Sequence, residues 1–186
     1  PRWGGLLHAA VLVAQHPVTE EFEKAGEQMR ITLQAVKQFD AQIVIITSNS
    51  DAGSTAISRV IQEERTPEIK VFPNMPREHY AGLMAAADVL VGNSSSGILE
   101  APSFKLPAVN IGNREKGRLQ GKNVINVPHS VPEIKKAIIK ALSKPFVRSM
   151  RNCINPYGDG KSARHIVDVI AAAEHNEELL VKRITY

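Results

Sequence analysis

Short apolar segments whose residues do not alternate with polar ones constrain this fold more than any other feature of the sequence. Residues 43–46 read Ile-Val-Ile-Ile, a pattern typical of a strand that is buried on both faces of a sheet. Amphipathic segments with a helical period separate such runs along the chain. This alternation predicts an α/β protein with a doubly wound parallel sheet.

The same patterns predict the individual elements. Strands are expected at residues 11–15, 43–46, 69–72, 88–91, 108–111 and 124–127. Helices are expected at residues 55–64, 78–87, 131–142 and 161–174, together with a long helix that has Thr19 as its N-cap and extends to about Val36. Pro102 should leave a short or kinked helix after residue 96, because proline lacks an N–H donor and clashes one turn back. Residues 144–157 show little periodicity.

Composition limits the classes to which the chain can belong. Its 186 residues, 43% of them hydrophobic, suffice for one sizeable core and most simply one domain. A lone cysteine, Cys153, excludes an internal disulfide framework and fits a reducing, cytoplasmic compartment. No apolar run approaches the length of a membrane span. The apolar start is interrupted by His8 and lacks a small-x-small cleavage site, so a strand is expected there and not a signal peptide.

The charge is unevenly distributed. Residues 1–104 carry 8 basic and 12 acidic side chains, and residues 105–186 carry 15 and 7. A basic second half suits an anionic ligand, and also weak contact with nucleic acid. Aromatic residues make up only 5%, and Lys135, Lys136 and Lys140 fall on a predicted helix, so a solvated helix face explains most of these charges. Neither nucleic acid nor a membrane is predicted as a partner.

The stretch from Gly92 to Glu100 (GNSSSGILE) is expected to form a tight polar turn and the first turns of a helix. Three serine hydroxyls then lie where backbone N–H groups are unpaired and the helix dipole is positive, which suits a phosphate. Glu100 follows Ser96 by about one helical turn on the same side, where a carboxylate can accept hydrogen bonds from a ribose diol. The same residues also fit plain helix capping. The spacing alone leaves both interpretations open.

Further candidates follow the other strands, because ligands of doubly wound sheets bind beyond the carboxyl ends of the strands. They are His16, Asn49, Asn74 with Met75, and Arg114. Arg114 suits a phosphate or a surface ion pair, and His16 suits a ligand contact or a structural role. Position alone does not decide between these roles.

Two common nucleotide motifs are absent. Residues 158–162 end like a P-loop, but Asn155 stands where the leading glycine belongs and no strand precedes the segment. After the first predicted strand, Gln15-His16-Pro17-Val18 stands in place of a dinucleotide fingerprint. The other five histidines are scattered without a metal-binding spacing. No metal and no cofactor is therefore predicted.

Four separated motifs carry a family resemblance. They are HPVT at residues 16–19, GNSSSGILEAP at 92–102, NIGNREKGR at 110–118 and NPYGDG at 155–160. Together they resemble the C-terminal domain of UDP-N-acetylglucosamine 2-epimerases, nearest the hydrolysing type that opens sialic acid synthesis. The resemblance covers residues 11–170 and leaves residues 1–10 unassigned. Glu115 departs from the pattern, in which glutamine is expected after the arginine.

This resemblance implies a domain organisation and a set of site residues. Residues 11–157 are expected to form a Rossmann-like, UDP-binding domain, the C-terminal half of a two-domain enzyme of the GT-B type. Residues 158–186 are expected to hold a helix that crosses toward an N-terminal domain which this chain lacks. The substrate-binding residues implied for UDP are Ser94 and Ser95 at the diphosphate, Glu100 at the ribose, Met75 at the uracil through its backbone, and Asn49 and Arg114 lining the cleft. His16 is the implied catalytic residue, placed where it can help the diphosphate depart.

The implied reaction eliminates UDP from UDP-N-acetylglucosamine to give a 1,2-unsaturated glycal, and then adds water with inversion at C2. Proton abstraction at C2 needs a base, which the family keeps on its N-terminal domain. The isolated chain is therefore expected to bind UDP weakly without turnover, and the full-length enzyme to be a homo-oligomer. The alternatives left open are a non-hydrolysing epimerase, an epimerase of a diacetamido-sugar nucleotide, a GT-B glycosyltransferase domain and a free-standing nucleotide-binding module.

Overall fold

The computed structural model describes residues 9–47, 51–174 and 181. Asn49 and the first eight residues of the unassigned segment 1–10 lie outside the described residues. The chain divides into two compact units, the first ending at Pro156 and the second beginning at Tyr157.

The first unit is built on a single parallel sheet of six strands in the order β3-β2-β1-β4-β5-β6. The strands are β1 (Ala9–Ala14), β2 (Ala41–Ile46), β3 (Ile69–Phe72), β4 (Val89–Gly92), β5 (Ala108–Ile111) and β6 (Val124–Val127). This confirms the predicted parallel sheet. Strands β2 and β3 follow β1 toward one edge of the sheet, and β5 and β6 follow β4 toward the other. In such sheets ligands bind at the switch point, here between β1 and β4.

Helices connect the strands and cover both faces of the sheet. They are α1 (Ala25–Val36), α2 (Ser54–Glu63), α3 (Arg77–Ala86), α4 (Ser96–Leu99), α5 (Val131–Leu142) and α6 (Lys144–Ser149). Alternate residues of β1 enter different cores: Val11 and Val13 pack in a cluster with α1, α2 and α5, whereas Leu12 packs with Met84 and Leu90 in a second cluster. Each face of the sheet therefore has its own apolar layer, as a doubly wound fold requires.

The segment after β1 differs from the prediction. A 3₁₀ helix spans Thr19–Lys24 and α1 begins only at Ala25, so Thr19 does not cap a long helix. Glu21 interrupts the helical backbone with φ −126° and ψ 20°. Its carboxylate accepts hydrogen bonds from Nε2 of Gln28 at 2.6 Å and Nδ2 of Asn113 at 3.4 Å. These contacts hold Glu21 outside helical geometry, which the sequence pattern of α1 does not reveal.

The structure also tests the predictions for the helix after residue 96 and for residues 144–157. The helix after residue 96 is short, since α4 ends at Leu99 and a 3₁₀ turn at Ala101–Phe104 follows with Pro102 in its first turn. The expectation about Pro102 is confirmed. Residues 144–157, by contrast, contain helix α6, which Ser143 caps by accepting a hydrogen bond from the N–H of Phe146. Six residues are too few to display a helical period.

The second unit contains α7 (Ser162–Ala172), which buries none of its residues. Ile166, Val167, Val169 and Ile170 are each exposed by more than half. In the described part of the chain no helix is long and apolar enough to cross a membrane.

Candidate functional site

A cavity of about 340 Å³ opens where the carboxyl ends of β1, β2, β3 and β4 meet. Its size lies in the range of small-molecule sites. It is lined by Ala14, His16, Ile46, Asn74, Met75, Arg77, Tyr80, Ser94, Ser95, Ser96 and Glu100. Of the site residues that the family resemblance implies, His16, Met75, Ser94, Ser95 and Glu100 are brought to this one cavity. The further candidates Asn74 and Ser96 also line it, whereas Asn49 lies outside the described residues.

Gly92 lets the turn after β4 approach β1 closely. Its φ is +137°, and a Cβ built on it would lie 2.1 Å from the carbonyl oxygen of Ala14. Only glycine fits such a position. The next turn residue, Ser94, donates its N–H to the same carbonyl at 3.2 Å. The turn after β4 is thus in direct backbone contact with the end of β1, and Ala14 and Ser94 both line the cavity.

A chain of hydroxyl groups runs along one wall. The phenolic oxygen of Tyr80 lies 2.7 Å from Oγ of Ser96, and Oγ of Ser96 donates to Oγ of Ser94 at 3.0 Å. Burial raises the pKa of Tyr80 above its ordinary value, so the phenol is protonated at neutral pH. If Tyr80 donates to Ser96, the hydroxyl proton of Ser94 is left for an acceptor in the cavity.

Ser95 occupies the N-cap position of α4 but makes no capping hydrogen bond with its side chain. Ser95 is one of the residues that line the cavity. Plain capping therefore does not account for Ser95. Helix α4 is only four residues long, so its dipole is that of about one turn and contributes less than the sequence suggests.

Glu100 follows α4 directly, and its carboxylate lies 3.7 Å from Nη2 of Arg77, the first residue of α3. The Glu100 side chain is 32% exposed, and the Arg77 side chain 85%. A loose, exposed pair of this kind contributes little to stability. The carboxylate thus remains accessible as an acceptor on the cavity wall.

Met75 lies in the loop between β3 and α3, where its backbone N–H donates to Oδ1 of Asn74 at 2.7 Å. This bond is solvent-exposed. A ligand that needs the N–H of Met75 must displace the Asn74 side chain, whereas no donor among the described residues occupies the carbonyl of Met75.

Arg114 is not among the residues that line the cavity, but it adjoins them. Its Nη1 donates to the carbonyl of Asn93 at 3.1 Å and to Oε1 of Glu115 at 2.8 Å. Glu115 is only 2% exposed and also pairs with Nε of Arg118 at 2.8 Å. The ion pair of Arg114 is therefore with a buried carboxylate and is not a surface pair.

Sequence reasoning missed Tyr80, Arg77 and Asn93. Arg77 and Tyr80 are three residues apart on α3, which places them on one helix face directly after the Met75 loop. That spacing could have identified them. Asn93 belongs to the predicted polar turn at residues 92–100, but no local signal distinguishes its own role, because its side chain bonds His16, 77 residues earlier.

No cluster of three or more histidine, cysteine, aspartate or glutamate side chains suited to a metal ion occurs among the residues that the structure describes.

Comparison with known proteins gives the chain a family. The sequence model of the UDP-N-acetylglucosamine 2-epimerase family matches residues 6–171. The chain belongs to this family. The resemblance carried by the four motifs is confirmed, and the chain spans about half the length or less of the curated relatives of this epimerase family that it matches.

One relative is the UDP-N,N'-diacetylbacillosamine 2-epimerase (hydrolyzing) of Legionella pneumophila, 34% identical over 94% of this chain and 46% of that protein. Another is the UDP-N-acetylglucosamine 2-epimerase of Neisseria meningitidis, 30% identical over 69% of this chain and 34% of that protein. Both align with less than half of a longer protein.

Solved structures of UDP-GlcNAc 2-epimerases and of a glycosyltransferase share the fold of this chain. The UDP-GlcNAc 2-epimerase from Neisseria meningitidis bound to UDP-GlcNAc superposes with a TM-score of 0.70 at 17% identity, covering 89% of this chain and 45% of that one. The calicheamicin glycosyltransferase superposes with a TM-score of 0.59 at 14% identity, covering 91% and 44%. At these identities the likeness concerns the fold alone, and it confirms the predicted Rossmann-like domain of GT-B type.

Proposed function

We propose that this chain is the UDP-binding domain of a hydrolysing UDP-N-acetylglucosamine 2-epimerase, which converts UDP-N-acetylglucosamine and water into N-acetylmannosamine and UDP. The observation that carries the proposal is that Ser94, Ser95 and Glu100 line one cavity at the carboxyl edge of the sheet. Relatives from Legionella pneumophila and Campylobacter jejuni, 34% and 32% identical, carry the word hydrolyzing in their names, which supports the hydrolysing type.

The proposed roles follow from the chemistry of each group. Ser94 and Ser95 donate hydrogen bonds to the diphosphate, with Ser94 oriented through Ser96 by Tyr80. Glu100 accepts hydrogen bonds from the ribose hydroxyls. Met75 contacts the uracil through its backbone, and the occupied N–H favours its carbonyl as the acceptor for the uracil N–H. Arg114, which adjoins the cavity through its bond to the carbonyl of Asn93, and Asn49 are proposed as further contacts of the nucleotide.

His16 is proposed to act on the leaving group. In the elimination step the C1–O bond of the sugar breaks, the electron pair stays on the diphosphate, and the C2 proton leaves to a base. A hydrogen bond from the His16 ring to the diphosphate would stabilise the charge that develops there. The C2 base is proposed to come from a second domain, so the isolated chain binds UDP weakly and does not turn substrate over.

A second candidate substrate is a diacetamido-sugar nucleotide. The relatives from Legionella pneumophila and Campylobacter jejuni are named for UDP-N,N'-diacetylbacillosamine and GDP/UDP-N,N'-diacetylbacillosamine. UDP-N,N'-diacetylbacillosamine carries the same UDP group as UDP-N-acetylglucosamine, so the nucleotide-binding roles proposed for the cavity residues apply to both. The sugar is then chosen by groups beyond this domain.

Calorimetric titration tests the nucleotide site. We expect UDP to bind saturably and Glu100→Gln to weaken binding by about 1–3 kcal/mol, the scale of a hydrogen bond to a charged group. The matched control is Glu78→Gln, which removes a charge from an exposed position of α3 outside the cavity. Titration with 2′-deoxy-UDP sharpens the test, because the loss caused by Glu100→Gln should shrink when a ribose hydroxyl is absent. Equal losses with both nucleotides would contradict the ribose role.

A second titration includes the N-terminal half of the Legionella pneumophila relative. If UDP binds only with that half present, the site needs its partner domain, and if UDP binds in neither case the proposal is wrong. The reaction is tested in the same mixture by NMR. Free N-acetylmannosamine supports hydrolysis, whereas UDP-N-acetylmannosamine would show the non-hydrolysing reaction.

A further inference from the structure

Asn93 is a fully buried side chain in the turn after β4, at 0% exposure. Its amide makes two hydrogen bonds to one residue that lies 77 positions earlier in the chain. Oδ1 accepts the backbone N–H of His16 at 2.7 Å, and Nδ2 donates to the backbone carbonyl of His16 at 2.8 Å. Both hydrogen-bonding functions of the amide therefore hold the same peptide segment.

This contact takes over where the strand pairing ends. The last paired residues of β1 and β4 are Ala14 and Gly92, so His16 lies two residues beyond the sheet. Without a strand neighbour, its N–H and carbonyl need other partners. The Asn93 side chain has the donor and acceptor of a peptide group and supplies both. It extends the β1–β4 pairing by one step into the cavity wall.

A second set of contacts fixes Asn93 from the opposite side. Its backbone carbonyl accepts a hydrogen bond from Nη1 of Arg114 at 3.1 Å. Arg114 is in turn held by the buried carboxylate of Glu115, which also pairs with Arg118. The ends of β1, β4 and β5 are thereby joined through charged and amide groups, with Asn93 in the middle.

We infer that Asn93 is a positioning residue, which fixes the backbone of His16 and so directs its imidazole at the cavity. The role of His16 at the diphosphate rests on the proposed function. The two hydrogen bonds between the Asn93 amide and the His16 backbone, which form a clamp, do not rest on it. Serine hydroxyls and backbone N–H groups can bind a phosphate without an asparagine side chain before them. The clamp therefore positions His16 and is not needed for the phosphate contacts of Ser94 and Ser95. Its consequence is that Asn93 affects UDP binding through His16.

The first test measures the clamp without a ligand. Amide hydrogen exchange at His16 should become about tenfold faster or more in Asn93→Ala, since a buried acceptor is lost. In Asn93→Asp the acceptor remains but an oxygen faces the His16 carbonyl, so the amide stays protected while the His16 imidazole resonances shift. Asn110→Ala is the control, because Asn110 is also a buried asparagine whose amide bonds a side chain, that of Asn126, away from His16. Unchanged exchange and unchanged imidazole resonances in both Asn93 variants would overturn the inference.

The second test is a double-mutant cycle on UDP affinity. Asn93→Ala should weaken binding about tenfold in the parent chain but have almost no effect in a His16→Ala background. Equal losses in both backgrounds would show that Asn93 serves only the fold or the serine turn, and would overturn the inference. If the parent chain binds no UDP alone or with a partner domain, the proposed function fails, and the exchange and imidazole measurements still decide the clamp.

Discussion

The phenolic oxygen of Tyr80 lies 2.7 Å from Oγ of Ser96, and this contact ties the helix after β3 to the turn after β4. Ser96 is 5% exposed, and its Oγ donates a hydrogen bond to Oγ of Ser94. Burial is the main cause of the raised pKa of Tyr80, and the nearby Glu100 carboxylate adds to it. The phenol thus remains a hydrogen-bond donor throughout the neutral range.

Replacing Tyr80 with phenylalanine should disturb both stability and UDP binding. We expect a loss of about 1 kcal/mol in the free energy of unfolding, because a buried hydrogen bond to Ser96 is removed. UDP affinity should fall several-fold, since the Ser94 hydroxyl loses its orienting partner. Denaturant titration and calorimetry measure the two effects. An unchanged free energy of unfolding together with an unchanged UDP affinity in Tyr80→Phe would contradict the prediction.

Gly92→Ala should be among the most damaging single substitutions in the first unit. The new Cβ would meet the carbonyl oxygen of Ala14 at 2.1 Å and would also force an alanine to φ +137°. We expect a loss of about 3 kcal/mol or more in the free energy of unfolding, from overpacking and backbone strain together.

Gly117→Ala separates those two causes. Gly117 also has a positive φ, +86°, but a Cβ there meets nothing within 4 Å. Its cost is therefore backbone strain alone, about 1 kcal/mol. Equal losses in the two variants, measured by denaturant unfolding, would show that the contact between the β4 turn and Ala14 does not matter.

The sheet and the serine turn were predictable from sequence because their signals are local. Runs such as residues 43–46 show burial on both faces, and Pro102 shows where a helix must stop. Contacts between distant segments have no such signal. The clamp of the Asn93 side chain on the His16 backbone joins residues 77 positions apart, and Glu21 accepts a hydrogen bond from Asn113, 92 positions later, as well as one from nearby Gln28. None of these contacts changes the hydrophobic period. Sequence therefore predicted which residues lie at the carboxyl edge, but not which of them hold the others.

Glu115→Gln should raise the affinity for UDP. Glu115 is buried between Arg114 and Arg118, and its carboxylate offsets the positive charge beside the serine turn. An amide of the same shape still accepts a hydrogen bond from one arginine but carries no charge. The net charge of the loop therefore rises by one unit, and the electrostatic potential at the serine turn becomes more positive. We expect UDP to bind a few-fold more tightly at low salt, with the gain shrinking as salt is added.

The same substitution should lower stability. The hydrogen bond from Arg114 then goes to a neutral acceptor, and the ion pair with Arg118 is lost because the NH₂ group of glutamine cannot face an arginine N–H favourably. We expect a loss of about 1–3 kcal/mol in the free energy of unfolding. Tighter UDP binding that persists unchanged in high salt would contradict the electrostatic explanation.

Stability should also depend on pH through His129, which follows β6. Its Nε2 lies 2.6 Å from where a Cβ on Gly112 would be, and its Nδ1 is buried without a hydrogen-bond partner among the described residues. Burial lowers the pKa of His129, and the opposing pull of the Glu21 carboxylate is weaker. The folded protein thus holds the imidazole neutral at a pH where the unfolded chain, with a pKa of about 6.5, takes up a proton.

The sign of the effect follows from linkage. Because the unfolded state binds more protons in this window, the free energy of unfolding rises with pH and falls as the pH drops below about 6.5. The ion pair of Glu64 with Lys37 acts in the same direction but only at lower pH, since it lowers the pKa of a carboxyl group. The change in the free energy of unfolding between pH 7 and pH 5, measured with denaturant, should therefore reflect the protonation of His129. We expect a flatter dependence in His129→Gln and no change in His165→Gln, where the histidine is exposed on α7. The same slope in the parent chain and in His129→Gln would show that another group controls stability in this range.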